Sequence, residues 1–346
     1  MKHRLKTQLR VKKLDELLKG KSNLLIVMQD NPDPDSIAAA VALRKLANTL
    51  GEVQCSITHG GTVGRAENRA LVRYLGLNLR PAGEIEFEKF DLVAMVDTQP
   101  GAGNNCLPAN IVPAIVIDHH SLRHATRSAQ LIDIRRGYGA TATILFEYLV
   151  EAEITPEIPL ATALLYGIRS DTQELGREAS RADIKAMGLL FPTANKRMLG
   201  EIQRGSVQRG YFQMLAEALT NARVYGNCII TELGETENPD MIGEVADLLE
   251  RDEDAMWAMC SGIFENKLLI SIRTSGENNR ADEVVRRIVA RRGTGGGHQT
   301  YAGGQIPLRT GTSAERARIE KLVEQKFLKA VGADAESARS GARLIQ

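Results

Sequence analysis

Apolar and polar positions follow a repeated order along the first half of the chain: a short apolar run, a polar turn, then apolar residues at helical spacing. Residues 24–28 (LLIVM) form a continuous run of the kind expected for a strand buried on both faces. A polar turn with Asp30, Asp33 and Asp35 follows, stiffened by Pro32 and Pro34, which bar it from continuing strand or helix. From Ser36, a good N-cap, the positions Ile37, Ala40, Val41, Leu43, Leu46 and Ala47 recur at helical spacing. Further strands are expected at 53–58, 90–96 and 114–117, and helices at 140–149, 160–168 and from Ser180 to about 191. Strands alternating with helices predict an α/β domain with a doubly wound, mostly parallel sheet. The stretch 195–222 reads as helical with a break near Gly205. Beyond it the pattern predicts strands at 228–233, 257–264 and 268–274, and helices at 241–249, 281–291 and 314–331. A glycine-dense loop is expected at 293–304. The expected domains are 1–194 (the doubly wound α/β domain), 195–222 (helical connection), 223–332 (a smaller α/β domain with a mixed sheet) and 333–346 (a frayed tail).

Composition narrows the classes. Hydrophobic content of 43% and charged content of 25% are ordinary for a globular protein of 346 residues, a length that accommodates two cores. A net charge of +1 leaves no global field to draw the chain onto nucleic acid or an anionic membrane. No apolar run approaches the roughly 18 residues of a membrane span, and the basic N-terminus lacks a signal-peptide core. Four scattered cysteines without a CxxC pair suit a reduced, cytoplasmic protein.

The chemistry lies where the strands end. The run 24–28 leads to Asp33 and Asp35, the run 90–96 to Asp97-Thr98, and the run 114–117 to Asp118-His119-His120; Asp171 follows the helix 160–168. Any one of these acids alone reads equally as a cap or a solvated turn. Together they place carboxylates and imidazoles where open α/β sheets bind ligands. Carboxylates with one or two imidazoles and no thiolate suit Mn²⁺ or Mg²⁺ better than a closed zinc site. The loop HGGTVGRAEN, with His59, Arg65, Asn68 and Arg69, reads either as a phosphate-touching loop or as a plain helix start.

In order and spacing, the segments NPDPDS, DTQ, IDHH, RSDT and GGGHQTYAGG resemble the DHH phosphoesterase superfamily. The likeness is to the branch with a DHH-associated C-terminal domain, which includes RecJ-like nucleases and oligoribonuclease/3′-phosphoadenosine 5′-phosphate phosphatases, and it covers about residues 20–310. The resemblance implies that Asp33, Asp35, Asp97, His119 and Asp171 hold two Mn²⁺ ions, one of them weakly, with Asp97 bridging. Mg²⁺ is the other candidate. It places His120 at the scissile phosphate as a catalytic group and gives Asp118 a supporting role in orienting the imidazoles. In the C-terminal domain it assigns substrate binding to Arg273, Gly295, Gly296, Gly297 and His298, with the active site in a cleft between the domains. The three glycines expose backbone N–H groups of the kind that nest an anion.

Two positions depart from the family. A histidine usual four residues before Asp33 is replaced by Gln29, which weakens one metal site or leaves a group that hydrogen-bonds metal-bound water. Tyr301 stands where the family commonly has a small residue, and reads as a base-stacking ring or as packing. The function implied is a phosphoesterase working by a two-metal hydroxide mechanism on short oligoribonucleotides, linear dinucleotides or nucleotide bisphosphates. An aromatic content of 4% argues against a long row of base-stacking platforms. The alternatives are a polyphosphatase or pyrophosphatase on the same core, and a nucleotide-binding regulator that has lost turnover through Gln29. The implied partners are a short nucleotide or oligonucleotide and no membrane; a homodimer is compatible with the sequence.

Overall fold

The computed structural model describes residues 2–176, 179–276, 278–333 and 341–345. The chain divides into two compact units, Met1–Ser206 and Val207–Gln346. The division falls inside the stretch expected as a connection, whose two helices belong to different units.

The first unit contains α1 (Lys2–Leu18), β1 (Asn23–Val27), α2 (Pro34–Gly51), β2 (Gln54–His59), α3 (Ala66–Tyr74), β3 (Leu79–Pro81), β4 (Leu92–Val96), β5 (Ile115–Asp118), β6 (Leu131–Ile134), α4 (Thr141–Glu151), α5 (Ile158–Asp171), α6 (Arg181–Leu190) and α7 (Lys196–Gln203). Its six strands are all parallel, in the order β3-β2-β1-β4-β5-β6. The chain reverses direction across the sheet between β1 and β4, and such switch points leave a crevice at the carboxyl ends of the strands. Leu24, Ile26, Ala94, Val96, Ile115 and Ile117 face the helical layer, where they meet α2, α4 and α5. Leu25, Val27, Val93, Met95 and Val116 face the other way, against Phe87, Ile85, Leu107 and Ile111. Right-handed crossovers place the connections after the reversal on that second face; here they are short 3₁₀ turns and loops. The two short strands β3 and β6 add to the four expected from the apolar runs.

One cap differs from expectation. The N-cap of α2 is Asp33, not Ser36, and Pro34 and Asp35 are already helical. Proline is well suited to the first helical position, where its missing N–H costs nothing. Ser180 does cap α6, in a reciprocal capping box with Asp183.

The second unit contains α8 (Arg209–Asn221), β7 (Arg223–Tyr225), β8 (Cys228–Glu235), α9 (Asp240–Leu249), β9 (Trp257–Phe264), β10 (Lys267–Thr274), α10 (Ala281–Val289), β11 (Thr294–Gly297), β12 (Tyr301–Pro307), α11 (Ser313–Val331) and β13 (Ala342–Arg343). Its mixed seven-stranded sheet runs β11-β12-β10-β9-β8-β7-β13, with β8 and β9 parallel and the other pairs antiparallel. Two apolar clusters cover its faces, one against α10 and α11 and one against α8 and α9.

The glycine-dense stretch is a β-hairpin rather than a loop. β11 lies at the sheet edge with Gly295 opposite Gly304, Gly296 opposite Gly303 and Gly297 opposite Ala302. Gly297 has φ +151°, and a Cβ there would lie 2.5 Å from Ala302 Cα, so close strand approach alone demands glycine at that position. Of the expected tail, residues 334–340 and 346 lie outside the described residues, while Ala342 and Arg343 pair with β7.

Candidate metal centre

Local structure fixes each acid in turn. Asp33 accepts the Ser36 amide at 2.9 Å in capping α2. In the first turn of that helix, Asp35 is only 1% exposed. Both of its carboxylate oxygens accept amides at 2.7 Å, from Thr141 and Ala142 at the N-terminus of α4. Asp97 follows β4 directly, in a left-handed conformation at φ +58° that aspartate tolerates better than most side chains. Its Oδ1 accepts the Thr141 hydroxyl at 2.9 Å. Asp118 ends β5, and His119 and His120 follow it. Asp171 is the last residue of α5.

These side chains form two overlapping groups that share His119. The donor atoms of Asp97, Asp118, His119 and His120 lie within 4.8 Å of one another, as do those of Asp35, His119 and Asp171. His119 Nδ1–H donates to the Tyr138 carbonyl at 3.1 Å. This leaves Nε2 3.2 Å from Asp171 Oδ2 and 3.5 Å from Asp97 Oδ1. His120 is 42% exposed at its side chain, and its Nδ1 lies 2.8 Å from Asp118 Oδ1. The other Asp118 oxygen accepts the Gln99 side-chain amide at 2.7 Å.

The electrostatics describe a crowded acidic site. Burial, then the charges of Asp35, Asp33, Asp171 and Asp118, push the Asp97 carboxyl well above its ordinary range. Burial and the Asp171 charge do the same to Asp35, against the pull of the Ala142 amide. Asp33 is raised by burial and by Asp171, and lowered in part by the Ser36 amide and a hydrogen bond from Gln29. Burial pulls the His119 imidazole down, but the Asp171 hydrogen bond and the surrounding carboxylates outweigh it and carry it to about 10. Burial pushes Asp118 up, yet its bond to His120 and the two imidazoles leave it at about 2. Carboxylates held this close repel one another, and a divalent cation among them removes that repulsion. Oxygen and imidazole donors with no thiolate fit a hard ion of the Mn²⁺ or Mg²⁺ type.

Of the residues expected from sequence, Asp35, Asp97, Asp118, His119, His120 and Asp171 are brought together, and Asp33 and Gln29 adjoin them. Three supporting groups were not read from the sequence: Thr141, Tyr138 and Gln99. Gln99 lay inside the DTQ segment, so its neighbourhood was marked. Thr141 and Tyr138 sit in the stretch GYGATAT, whose only signal is small residues ahead of a helix. Gly167 allows α5 to approach the start of α2 closely, since a Cβ there would lie 3.0 Å from the Pro34 carbonyl oxygen.

The residues expected in the second unit form their own group. Arg273 Nε donates to Asp247, and its Nη1 donates to Ser271 Oγ at 2.8 Å. Arg273 pairs across the strands with Tyr301, and its guanidinium carbon lies 5.7 Å from that ring's centre. The His298 ring stacks on Tyr301 at 4.6 Å and 18°. Tyr301 is therefore part of the packing around Arg273 and His298. Gly295, Gly296 and Gly297 line the edge strand beside them.

Comparison with known proteins agrees with this division. The model of the DHH family N-terminal domain matches residues 23–168, and that of the DHHA1 domain matches residues 226–329. An uncharacterized protein of Methanocaldococcus jannaschii, MJ1633, is 35% identical over 319 residues, covering 90% of this chain and 65% of its own length. The cyclic-di-AMP phosphodiesterase GdpP of Bacillus subtilis is 27% identical over 336 residues, covering 91% of this chain and 49% of its own. The chain thus spans about half to two-thirds of the length of these relatives. An exopolyphosphatase-related protein from Bacteroides fragilis shares the fold at a TM-score of 0.70 and 15% identity, over 94% of this chain and 98% of that one. Two domain models in sequence order, over a parallel sheet that gathers the acids and a mixed sheet that follows it, place the chain in the DHH superfamily, among the members with a C-terminal DHHA1 domain.

Proposed function

We propose that this protein is a metal-dependent phosphoesterase that hydrolyses short phosphorylated nucleotides: short oligoribonucleotides, linear dinucleotides or nucleotide bisphosphates. The observation that carries the reading is the pair of donor groups sharing His119, within which Asp97 and Asp171 both face its Nε2. In this reading Asp33, Asp35, Asp97, His119 and Asp171 hold two Mn²⁺ ions, with Mg²⁺ the alternative. Such ions, when bound, polarise the phosphoryl oxygens and activate water for attack.

The remaining chemistry belongs to the chain. Asp118 holds His120 through Nδ1 and so assigns Nε2 to proton transfer at the leaving oxygen. The Tyr138 carbonyl keeps His119 in one tautomer, and Thr141 keeps Asp97 from rotating. In the second unit, Arg273 with His298 and the Gly295–297 edge is assigned to a non-reacting phosphate of the substrate, which competes with Asp247 for the guanidinium. The cytoplasm, where such nucleotides occur, is the proposed location. Support for a nucleotide substrate comes from the relative named as a cyclic-di-AMP phosphodiesterase.

A hydrolysis panel with Mn²⁺ and with Mg²⁺ tests the reading, using short RNAs, linear dinucleotides, nucleotide bisphosphates and polyphosphate. Turnover of the nucleotides with little release from polyphosphate is the expected result. Faster release from polyphosphate would replace it with a polyphosphatase. Tight nucleotide binding without hydrolysis at millimolar Mn²⁺ would replace it with a regulator.

A further inference from the structure

Asp183 sits on the first turn of α6 and is 0% exposed. Its Oδ1 accepts the Thr143 hydroxyl at 2.5 Å. Its Oδ2 accepts the Gly139 amide at 2.8 Å and, from Ser180, the amide at 2.7 Å and the hydroxyl at 2.6 Å. A capping box needs only the Ser180 contacts. Those to Gly139 and Thr143 reach into another segment, on either side of Thr141 and Ala142. These two residues carry the amides on Asp35 and the hydroxyl on Asp97.

We propose that Asp183 is a positioning residue for the metal centre. It clamps the Gly139–Thr143 turn so that the N-terminus of α4 is aimed at Asp35 and Asp97. One buried carboxylate therefore ties down the supports of two acids, Asp35 and Asp97, that it does not touch. The proposal rests on the reading that these acids bind divalent ions. Groups that orient metal ligands from behind typically change metal affinity 10–100-fold when removed.

The test is Mn²⁺ binding to the full chain, followed by calorimetry, with folding checked by circular dichroism. Asp183→Asn keeps the shape but replaces one accepting oxygen by a donor. It is expected to raise the Mn²⁺ concentration for half-saturation by about tenfold. Thr143→Val removes one contact, keeps the capping box, and is expected to shift the midpoint less in the same direction. Ser180→Ala breaks the helix cap and should lower the melting temperature while leaving the midpoint near that of the parent. A folded Asp183→Asn protein with the parental midpoint would overturn the proposal, as would a Ser180→Ala shift equal to that of Asp183→Asn. If Asp183→Asn does not fold, Thr143→Val decides, and an unchanged midpoint there overturns it. A parent protein that takes up no Mn²⁺ would overturn the metal reading itself, and this proposal with it.

Discussion

Thr141 and Asp97 come from segments more than forty residues apart, yet the hydroxyl of one donates to the carboxylate of the other at 2.9 Å. Asp97 is thereby held where burial and four neighbouring acids all disfavour its charge. Asp97→Asn keeps the left-handed backbone accessible, since asparagine also tolerates it. Activity with Mn²⁺ should fall by about 10²–10³-fold, the loss typical of removing one electrostatic anchor of a transition state. The metal-free protein should melt about 2–4 °C higher for each kcal/mol of relieved repulsion. A folded variant retaining more than a small fraction of activity would contradict the assignment of Asp97 to both ions.

Gln29 hydrogen-bonds Asp33 at the edge of the centre, where the family commonly has histidine. Gln29→His should move half-maximal activation to lower Mn²⁺ with substrate preference unchanged, because imidazole is the better donor to such an ion. Identical metal titrations for the two proteins would show that position 29 does not reach the metal.

Arg273, proposed to bind an anionic end of the substrate, is paired with Asp247 and packed by Tyr301. Arg273→Ala should cost about 1.5–3 kcal/mol of substrate binding, a rise in KM of roughly 10- to 150-fold with kcat little changed. Loss of kcat at constant KM would move Arg273 into the chemical step.

Glu232 lies in the second unit on β8. Burial, then the charges of Glu320 and Glu324, push its carboxyl up to about 7 against the pull of Arg223. A folded-state value above the ordinary 4.5 means that the folded protein binds the extra proton. The stabilisation is complete below pH 4.5 and is lost as pH rises through 7. Melting temperature should therefore decline between pH 5 and 8, and Glu232→Gln should flatten that decline. A slope unaltered by the substitution would place its origin elsewhere.

Gly205 and Gly200 make a matched pair. A Cβ on Gly205 would lie 2.4 Å from the Ala66 carbonyl carbon, whereas one on Gly200, within α7, meets nothing within 4 Å. Gly205→Ala should destabilise by about 1–3 kcal/mol through overpacking. Gly200→Ala should stabilise by about 0.5–1 kcal/mol through helix propensity. Denaturant unfolding of both variants checks the contrast.

The parts of the molecule legible in its sequence are those written in local pattern. The runs before Asp33, Asp97 and Asp118 are apolar because a parallel sheet covered on both faces buries them, so strand type and acid position were read together. β3 and β6 escaped because strands of three or four residues carry too little periodicity. The Gly293–304 stretch misled because glycine serves a flexible turn and a tightly paired hairpin equally well in composition. Thr141, Tyr138 and Asp183 were invisible for another reason. Their support of the site runs through hydrogen bonds between segments distant in sequence, and such bonds leave no spacing to detect.

The two α4 amides on Asp35 bear on what happens when metal is scarce. A helix N-terminus carries roughly half a positive charge, and here it meets an acid whose charge is opposed by burial and by the neighbouring carboxylates. That acid is seated by backbone amides of the chain itself, unlike the ligands of a zinc finger, which lose their arrangement with their metal. In the proposed reading, a shortage of divalent ions would then idle this protein without dismantling it, leaving a folded reserve that resumes work when the ions return.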